Sequence, residues 1–471
     1  MSEGAHRTSF RAWLADVIET KLPYLFLLYA LPCVVLLSII MAPFQVADEL
    51  AHVQRSDQIS RGKAISDRLG GTIDGGWVVF GALYQNMWFH PEVKQTAALA
   101  RQAGAIRWSG PKDHVNFQNT AQYGPALYLP QVIGILFGRL TGLSLARTLV
   151  IVRLVNGLAA GLVGFLALCM CRRGRALMFA TLLLPMTLSQ CGSASPDALL
   201  ISLSILAVAL VSHVLVERRP ASTGEFALFA LIVTATTMAR PSQLALALLG
   251  PALCSRQDAA WKPKALIATV AVATVVTWMR ILAGLVPPLA PELSPAGQTQ
   301  LLLANPLLLP TLIVNTLAMQ GIWLMKTVVG GLGWVDTLMP NWYYLVAAIA
   351  LGAALIAPGN RRPLLRPAAL GLFTIAALFT VLCAALYVSW TPLGQSTING
   401  MQGRYILPVL PLLAWVMPEY RLRLEQPLAF AWWLVMLFPL VTLAVTPVVI
   451  MGRYYGSWGV MAASLKALLL P

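Results

Sequence analysis

The stretch Leu22-Pro-Tyr-Leu-Phe-Leu-Leu-Tyr-Ala-Leu-Pro-Cys-Val-Val-Leu-Leu-Ser-Ile-Ile-Met-Ala42, followed at once by Pro43-Phe-Gln-Val-Ala-Asp48-Glu49-Leu-Ala-His52-Val-Gln-Arg55, decides the architecture. Its first 21 residues carry no charge. As an α-helix rising about 1.5 Å per residue, such a run matches the ~30 Å hydrocarbon core of a bilayer. Arg7, Arg11 and Lys21 precede it, and no small-residue cleavage site follows. It therefore reads as an uncleaved anchor whose basic flank stays in the cytoplasm, which delivers the residues after Pro43 to the outer face.

The rest of the chain repeats this pattern. Of 471 residues, 58% are hydrophobic and only 11% charged, and the mean hydropathy is +0.73. No single water-soluble core absorbs that much apolar chain, so a soluble enzyme and a disordered chain are both excluded. The formal net charge of +15 does not form the basic stripe with stacking aromatics that nucleic acid requires. It sits in short clusters between apolar blocks: Arg172, Arg173 and Arg175; Arg218 and Arg219; Arg256, Lys262 and Lys264; Arg361, Arg362 and Arg366; Arg421 and Arg423. That is the positive-inside bias of cytoplasmic loops, and the partner it implies is a lipid bilayer. The six cysteines lie in or beside apolar blocks without disulfide or metal spacing.

Apolar blocks recur at residues 22–42, 148–170, 176–191, 197–215, 226–239, 243–254, 265–285, 342–357, 368–388, 406–417 and 428–450. They predict an all-α polytopic membrane protein of about eleven transmembrane helices, one membrane domain over residues 1–471, with the C-terminus outside. Three of the blocks are shorter than a crossing needs, which calls for tilt, extension into polar flanks or a different partition. Residues 123–140 are apolar but broken by Pro125 and Pro130. If they crossed, Arg172, Arg173 and Arg175 would fall outside, so they are placed on the outer surface, within a first outer loop at 43–147. A second outer segment, 286–341, opens with Val286-Pro-Pro-Leu-Ala-Pro-Glu292 and holds an amphipathic stretch near 315–326, expected to lie along the interface. A short polar loop, 389–402, is the third.

Just past the first span, Asp48, His52 and Arg55 are spaced i, i+4, i+7 and share one helix face, with Glu49 beside them. Carboxylates, a proton carrier and a cation suited to an anionic ligand are thus held at the membrane surface. A solvated juxtamembrane helix is the plainer alternative. Arg240 lies in a short connection on the outer side, and Arg404, between Gln402 and Tyr405, opens a span at the same face; headgroup snorkelling would explain either. Asp197 opens another span after Ser193 and Ser195, where helix capping suffices. Tyr123 and Tyr128 flank Pro125, and Trp334 and Asp336 stand in a glycine-rich turn of the second outer segment. Sugar stacking competes there with an aromatic belt and a plain turn.

The Asp48-Glu49-x-x-His52-x-x-Arg55 stretch after a first membrane helix resembles a family of uncharacterised bacterial multi-pass membrane proteins. That family is similar to the GT-C glycosyltransferases, which use dolichyl- or undecaprenyl-phosphate sugars. Further matches are Gln122-Tyr-Gly-Pro-Ala-Leu-Tyr128, Ser195-Pro-Asp197, Ala239-Arg-Pro241 and Gly403-Arg-Tyr-Ile-Leu-Pro408, in order from Ala42 to Pro411. One departure is the single proline, Pro43, separated from Asp48, where the pattern has prolines directly before the acidic pair. The resemblance implies a first-loop acid, here Asp48 or Glu49, that activates the acceptor as general base. It implies cationic partners for the donor phosphate, for which Arg55, Arg240 and Arg404 stand. His52, Tyr123, Tyr128, Asp197, Trp334, Asp336, Gln402 and Tyr405 are the candidate substrate contacts.

These expectations describe an integral glycosyltransferase of a bacterial plasma membrane. It would take a hexose or pentose from a polyprenyl-phosphate carrier to a glycan, lipid or protein of the cell envelope on the outer face. No cofactor is required by the sequence; a divalent cation at Asp48 and Glu49 is conceivable, but two neighbouring carboxylates are too few ligands to define one. The alternatives are an envelope polysaccharide polymerase or ligase, which differs in donor, and a lipid-linked sugar transporter or flippase, which needs midplane ionisable sites.

Overall fold

The computed structural model describes residues 20–67, 69–255, 258–285, 292–356, 365–416 and 425–470. Arg7, Arg11, Arg256, Arg361, Arg362, Arg421, Arg423 and the proline-rich residues 286–291 lie outside them. Helix α1 (Leu22–Ile40) is apolar on all sides, as a helix between protein and lipid should be. A turn through Pro43 leads to α2 (Glu49–Ser60). After it come β1 (Gly70–Asp74), α3 (Gly75–Ala82), α4 (Ala97–Ala105), β2 (Pro111–Asn116) and the short α5 (Leu129–Leu140). Strands β1 and β2 pair antiparallel, and Asp74 caps α3 by accepting from Gly76 N.

The helical body continues through α6 (Leu145–Met170), α7 (Arg175–Leu182), α8 (Pro185–Cys191), α9 (Asp197–Glu217), α10 (Thr223–Ala239) and α11 (Trp261–Leu285). Then come α12 (Pro295–Ala304), α13 (Leu308–Gly330), a small hairpin of β3 (Gly331–Leu332) and β4 (Thr337–Leu338), and α14 (Asn341–Ile356). The chain ends with α15 (Leu365–Trp390), α16 (Glu425–Tyr454) and α17 (Trp458–Leu469). Among the described residues, seven helices are long and apolar enough to cross a bilayer: α1, α6, α9, α11, α13, α15 and α16. Their outward side chains are apolar, among them Leu266, Val270 and Val272 of α11 and Met319, Ile322 and Met325 of α13. Faces of this kind are stable only against lipid.

One of the short apolar blocks has a physical explanation, and a second shares its helix type in part. Residues 243–254 lie almost wholly in a 3-10 run, Pro241–Leu253, and residues 406–417 include a second, Leu407–Leu412. A 3-10 helix rises about 2.0 Å per residue instead of 1.5 Å, so 13 residues reach roughly 26 Å. A block too short for an α-helical crossing is thereby nearly long enough. The stretch at 315–326 is part of α13, a single helix of 23 residues. Asn315 donates to Ser396 O, and the buried Thr316 Oγ1 accepts from Ile398 N. The outward face of the helix is the apolar one.

The two ends of the helical body differ in chemistry. At one end, Arg173 donates to Trp415 O, Arg172 N to Ser212 Oγ, and Lys264 to Ala221 O. At the other, the layer containing α2, the β1/β2 pair, α4 and α17 lies over the helix ends, tied down by Arg147 donating to Leu469 O and Lys94 to Arg453 O.

Candidate functional site

Four polar residues from distant parts of the chain meet beneath this layer. Asp48 sits in the left-handed region (φ 65°, ψ 4°), a conformation aspartate tolerates better than most residues. From the N-cap position its side chain makes no cap hydrogen bond; Oδ1 accepts from Asn119 Nδ2 at 2.9 Å and Oδ2 from Arg404 Nη2 at 3.0 Å. Arg404 Nη1 stands 3.4 Å from Asp197 Oδ2, and Arg240 Nη2 donates to Asp197 Oδ1 at 2.7 Å. Both guanidinium groups lie against the Tyr405 ring, at 4.3 Å for Arg240 and 5.5 Å for Arg404.

Local sequence explains these placements. Pro241 begins the 3-10 run, where its missing N–H costs nothing, and forces the preceding Arg240 into an extended conformation (φ −145°) that ends α10. Gly403 lets the turn before Arg404 approach α13 closely. A Cβ at 403 would lie 2.0 Å from Val328 N, so only glycine fits. Asp197 opens α9, where a carboxylate interacts well with the helix dipole.

Around this network, His52 Nδ1 lies 2.8 Å from Tyr128 Oη, and its ring centroid is 5.6 Å from that of Tyr123. Burial pushes the His52 pKa down to about 4, against the opposing pull of Asp48 and Asp197. Burial likewise pushes Tyr123 up to about 12 and Tyr128 well above its ordinary value. At neutral pH His52 is therefore an uncharged hydrogen-bonding group, and the site's positive charge is carried by the arginines. Because the unfolded chain protonates this histidine near pH 6.5, stability present at neutral pH should fall as pH drops from about 6.5 towards 4. His52→Gln should flatten that part of the profile, read as the difference between variant and wild-type thermal unfolding in detergent at pH 7.5, 5.5 and 4.5.

Asp48, His52, Tyr123, Tyr128, Asp197, Arg240, Arg404 and Tyr405 are thus brought together. The other expected residues are placed differently. Glu49 is fully buried and turned away from Asp48: Oε1 and Oε2 accept from Arg153 Nε (2.8 Å) and Nη2 (2.6 Å). The acidic pair therefore does not converge on one cation. Among the described residues no group of three or more His, Cys, Asp and Glu converges as a metal site would need. Arg55 shares the buried face of α2, but its guanidinium is bound to Gln58 Oε1 and the carbonyls of Ala64 and Tyr123. Asp336 accepts from Arg453 at the end of α16 and from Thr337 in its own hairpin. Gln402 has a buried Oε1 without a hydrogen-bond partner among the described residues. Trp334 lines a pocket of about 380 Å³ that opens beside Asp48.

Sequence reasoning missed Asn119 and Arg153. Arg153 carried a legible signal, since a charge within an apolar block demands a partner. Asn119 carried none; a single amide in a polar loop is unremarkable until the fold places it.

A buried ionic network gathered at one end of an apolar helical body, under a polar layer, defines a multi-pass membrane protein with a candidate site at that end. The chain belongs to the family described as predicted membrane protein DUF2142, whose profile matches residues 31–413 and so includes every member of the network. No curated protein and no solved structure matches it.

Proposed function

We propose that this protein is an integral membrane glycosyltransferase of GT-C type, moving a sugar from a polyprenyl-phosphate carrier to a cell-envelope acceptor. The observation that carries the reading is the Asp48–Arg404–Asp197–Arg240 network: a half-buried carboxylate beside a pocket, backed by two buried guanidinium groups. In this scheme the acceptor hydroxyl gives its proton to Asp48 as its oxygen bonds the anomeric carbon. The bond from that carbon to the phosphate oxygen breaks, and the electron pair leaves with the phosphate. Arg404 and Arg240 compensate the charge developing there. Arg404 Nε and Arg240 Nη1 are buried donors without hydrogen-bond partners among the described residues, which leaves them available to phosphate oxygens.

The proposal places Arg172, Arg173 and Arg175 and the other basic clusters in the cytoplasm of a bacterial cell, and the site at the outer face of the plasma membrane. It counts about eleven crossings, the eleven apolar blocks of the sequence, and α13 packs closely against the Gly403 turn of the site. The test is transfer of labelled sugar from a polyprenyl-phosphate donor by the purified protein in lipid nanodiscs, paired with mass analysis of envelope glycans and carriers in a deletion strain. Turnover, and an accumulated donor in the deletion strain, are expected; vectorial uptake of the carrier without any transfer would point to a transporter. Arg240→Lys keeps the charge but loses the planar fork, so donor KM should rise by about 10- to 100-fold.

A further inference from the structure

The pocket beside Asp48 differs in character from the arginine side of the site. Among the described residues, its single ionisable lining group is Asp48. The rest includes the indoles of Trp88 and Trp334 and the side-chain amides of Gln54, Gln85, Asn116 and Asn119. The two indole rings pack at 4.6 Å between centroids, and both Nε1–H groups donate to one carbonyl, Phe44 O, at 3.1 and 3.2 Å. That shared acceptor lies in a turn where Phe44 itself has φ 60°, so the pair is fixed by backbone rather than by loose packing. With both N–H groups used, what each half-buried indole retains is ring surface. Gln54 makes no hydrogen bond among the described residues and lines the pocket, so its amide is free to meet a polar ligand there.

From this chemistry we infer that the pocket binds the acceptor, and that the acceptor is a neutral carbohydrate. Flat apolar rings take the C–H faces of a pyranose. Amides, which donate and accept at once, match hydroxyls that do the same. Among the described residues the lining holds a carboxylate and no cation, which disfavours phosphates and acidic sugars. At about 380 Å³ the pocket lies at the small end of the ~300–1,000 Å³ range of small-molecule sites, which suits the terminal sugar of a glycan. Asp48 lies at the boundary, pocket on one side and Arg404 on the other. A hydroxyl presented by the acceptor would reach the carboxylate there, while the donor phosphate stays with the guanidinium groups.

This inference rests on the glycosyltransferase reading only for the word acceptor; the binding of neutral sugar is separable and is measured without turnover. The protein in nanodiscs is titrated with neutral di- and trisaccharides of glucose, galactose, mannose and N-acetylglucosamine, with uronic-acid disaccharides and a polyprenyl-phosphate sugar as the other arms. Saturable quenching of tryptophan emission by at least one neutral sugar, but not by the acidic ones, is expected. Gln85→Ala, at an exposed position, and Gln54→Ala should weaken it, and Trp334→Ala should weaken it by about tenfold, with donor affinity unchanged. If no neutral sugar binds while the donor does, or if the pocket variants weaken donor and sugar alike, the inference is overturned and the transferase reading stands. If sugars bind as expected but no transfer occurs from any donor, the transferase reading fails and the carbohydrate pocket remains.

Discussion

Asp48→Asn is expected to lower sugar transfer by about 10²- to 10⁴-fold, the usual worth of a positioned general base, while leaving the protein folded. Asparagine has the same shape. Its amide oxygen can accept from Arg404 or Asn119, so the 43–48 turn and the neighbouring network keep most of their hydrogen bonds. What disappears is the ability to take a proton. The measurement is single-turnover transfer from a labelled polyprenyl-phosphate sugar, with thermal unfolding in detergent as the control for folding. Transfer at the wild-type rate by a folded Asp48→Asn protein would falsify the base assignment. Asp48 occupies a left-handed backbone position, and such strain in a non-glycine residue is often found where a side chain must be aimed at a ligand.

Glu49 gives the opposite expectation. Its carboxylate is buried and held by both arms of Arg153, and it also accepts from Ala194 N at 2.9 Å. Arg153 in turn donates to Ser38 O, Met41 O and Ala42 O, carbonyls at and just beyond the end of α1. One ion pair therefore joins the end of α1, the start of α2, the interior of α6 and the turn before Asp197. Removing either charge leaves the other uncompensated in a buried site, which costs about 3–5 kcal/mol. Glu49→Gln and Arg153→Met should each lower the unfolding temperature in detergent, and the double variant Glu49→Gln/Arg153→Met should lie above the sum of the two losses. Strict additivity would mean that the pair is not coupled. Any loss of transfer in Glu49→Gln should follow the loss of fold and be relieved at lower temperature, whereas that of Asp48→Asn should persist.

The contrast between these adjacent acids shows what a sequence of this kind can and cannot convey. Composition alone dictated a membrane protein, because apolar blocks in such number have nowhere else to go. Charge placement separated the two ends, since the basic clusters described in the structure all fall opposite the Asp48 network. The motif residues Asp48, His52, Asp197, Arg240 and Arg404 were legible as short polar marks at helix ends, where an apolar chain has little other reason to carry them. Helical spacing, by contrast, put Arg55 on the same face as Asp48 and His52, but not the backbone carbonyls that bind it there. Nor did spacing distinguish Asp48 from Glu49: one residue along a helix is a turn of about 100°, and which direction holds Arg153 and which holds Arg404 depends on helices far away in the chain.

The 3-10 runs were hidden for a related reason. Prolines stand in both runs, Pro241 and Pro251 in one and Pro408 and Pro411 in the other, and a proline disfavours an α-helix without saying what replaces it. The sequence by itself determined that this protein lives in a membrane and that its basic clusters lie apart from its motif residues, because hydrophobic burial and charge exclusion act on each segment separately. Only the tertiary structure decided which carboxylate faces a pocket, which arginines stand behind it and which ones are spent on the fold, because those outcomes depend on contacts between segments hundreds of residues apart.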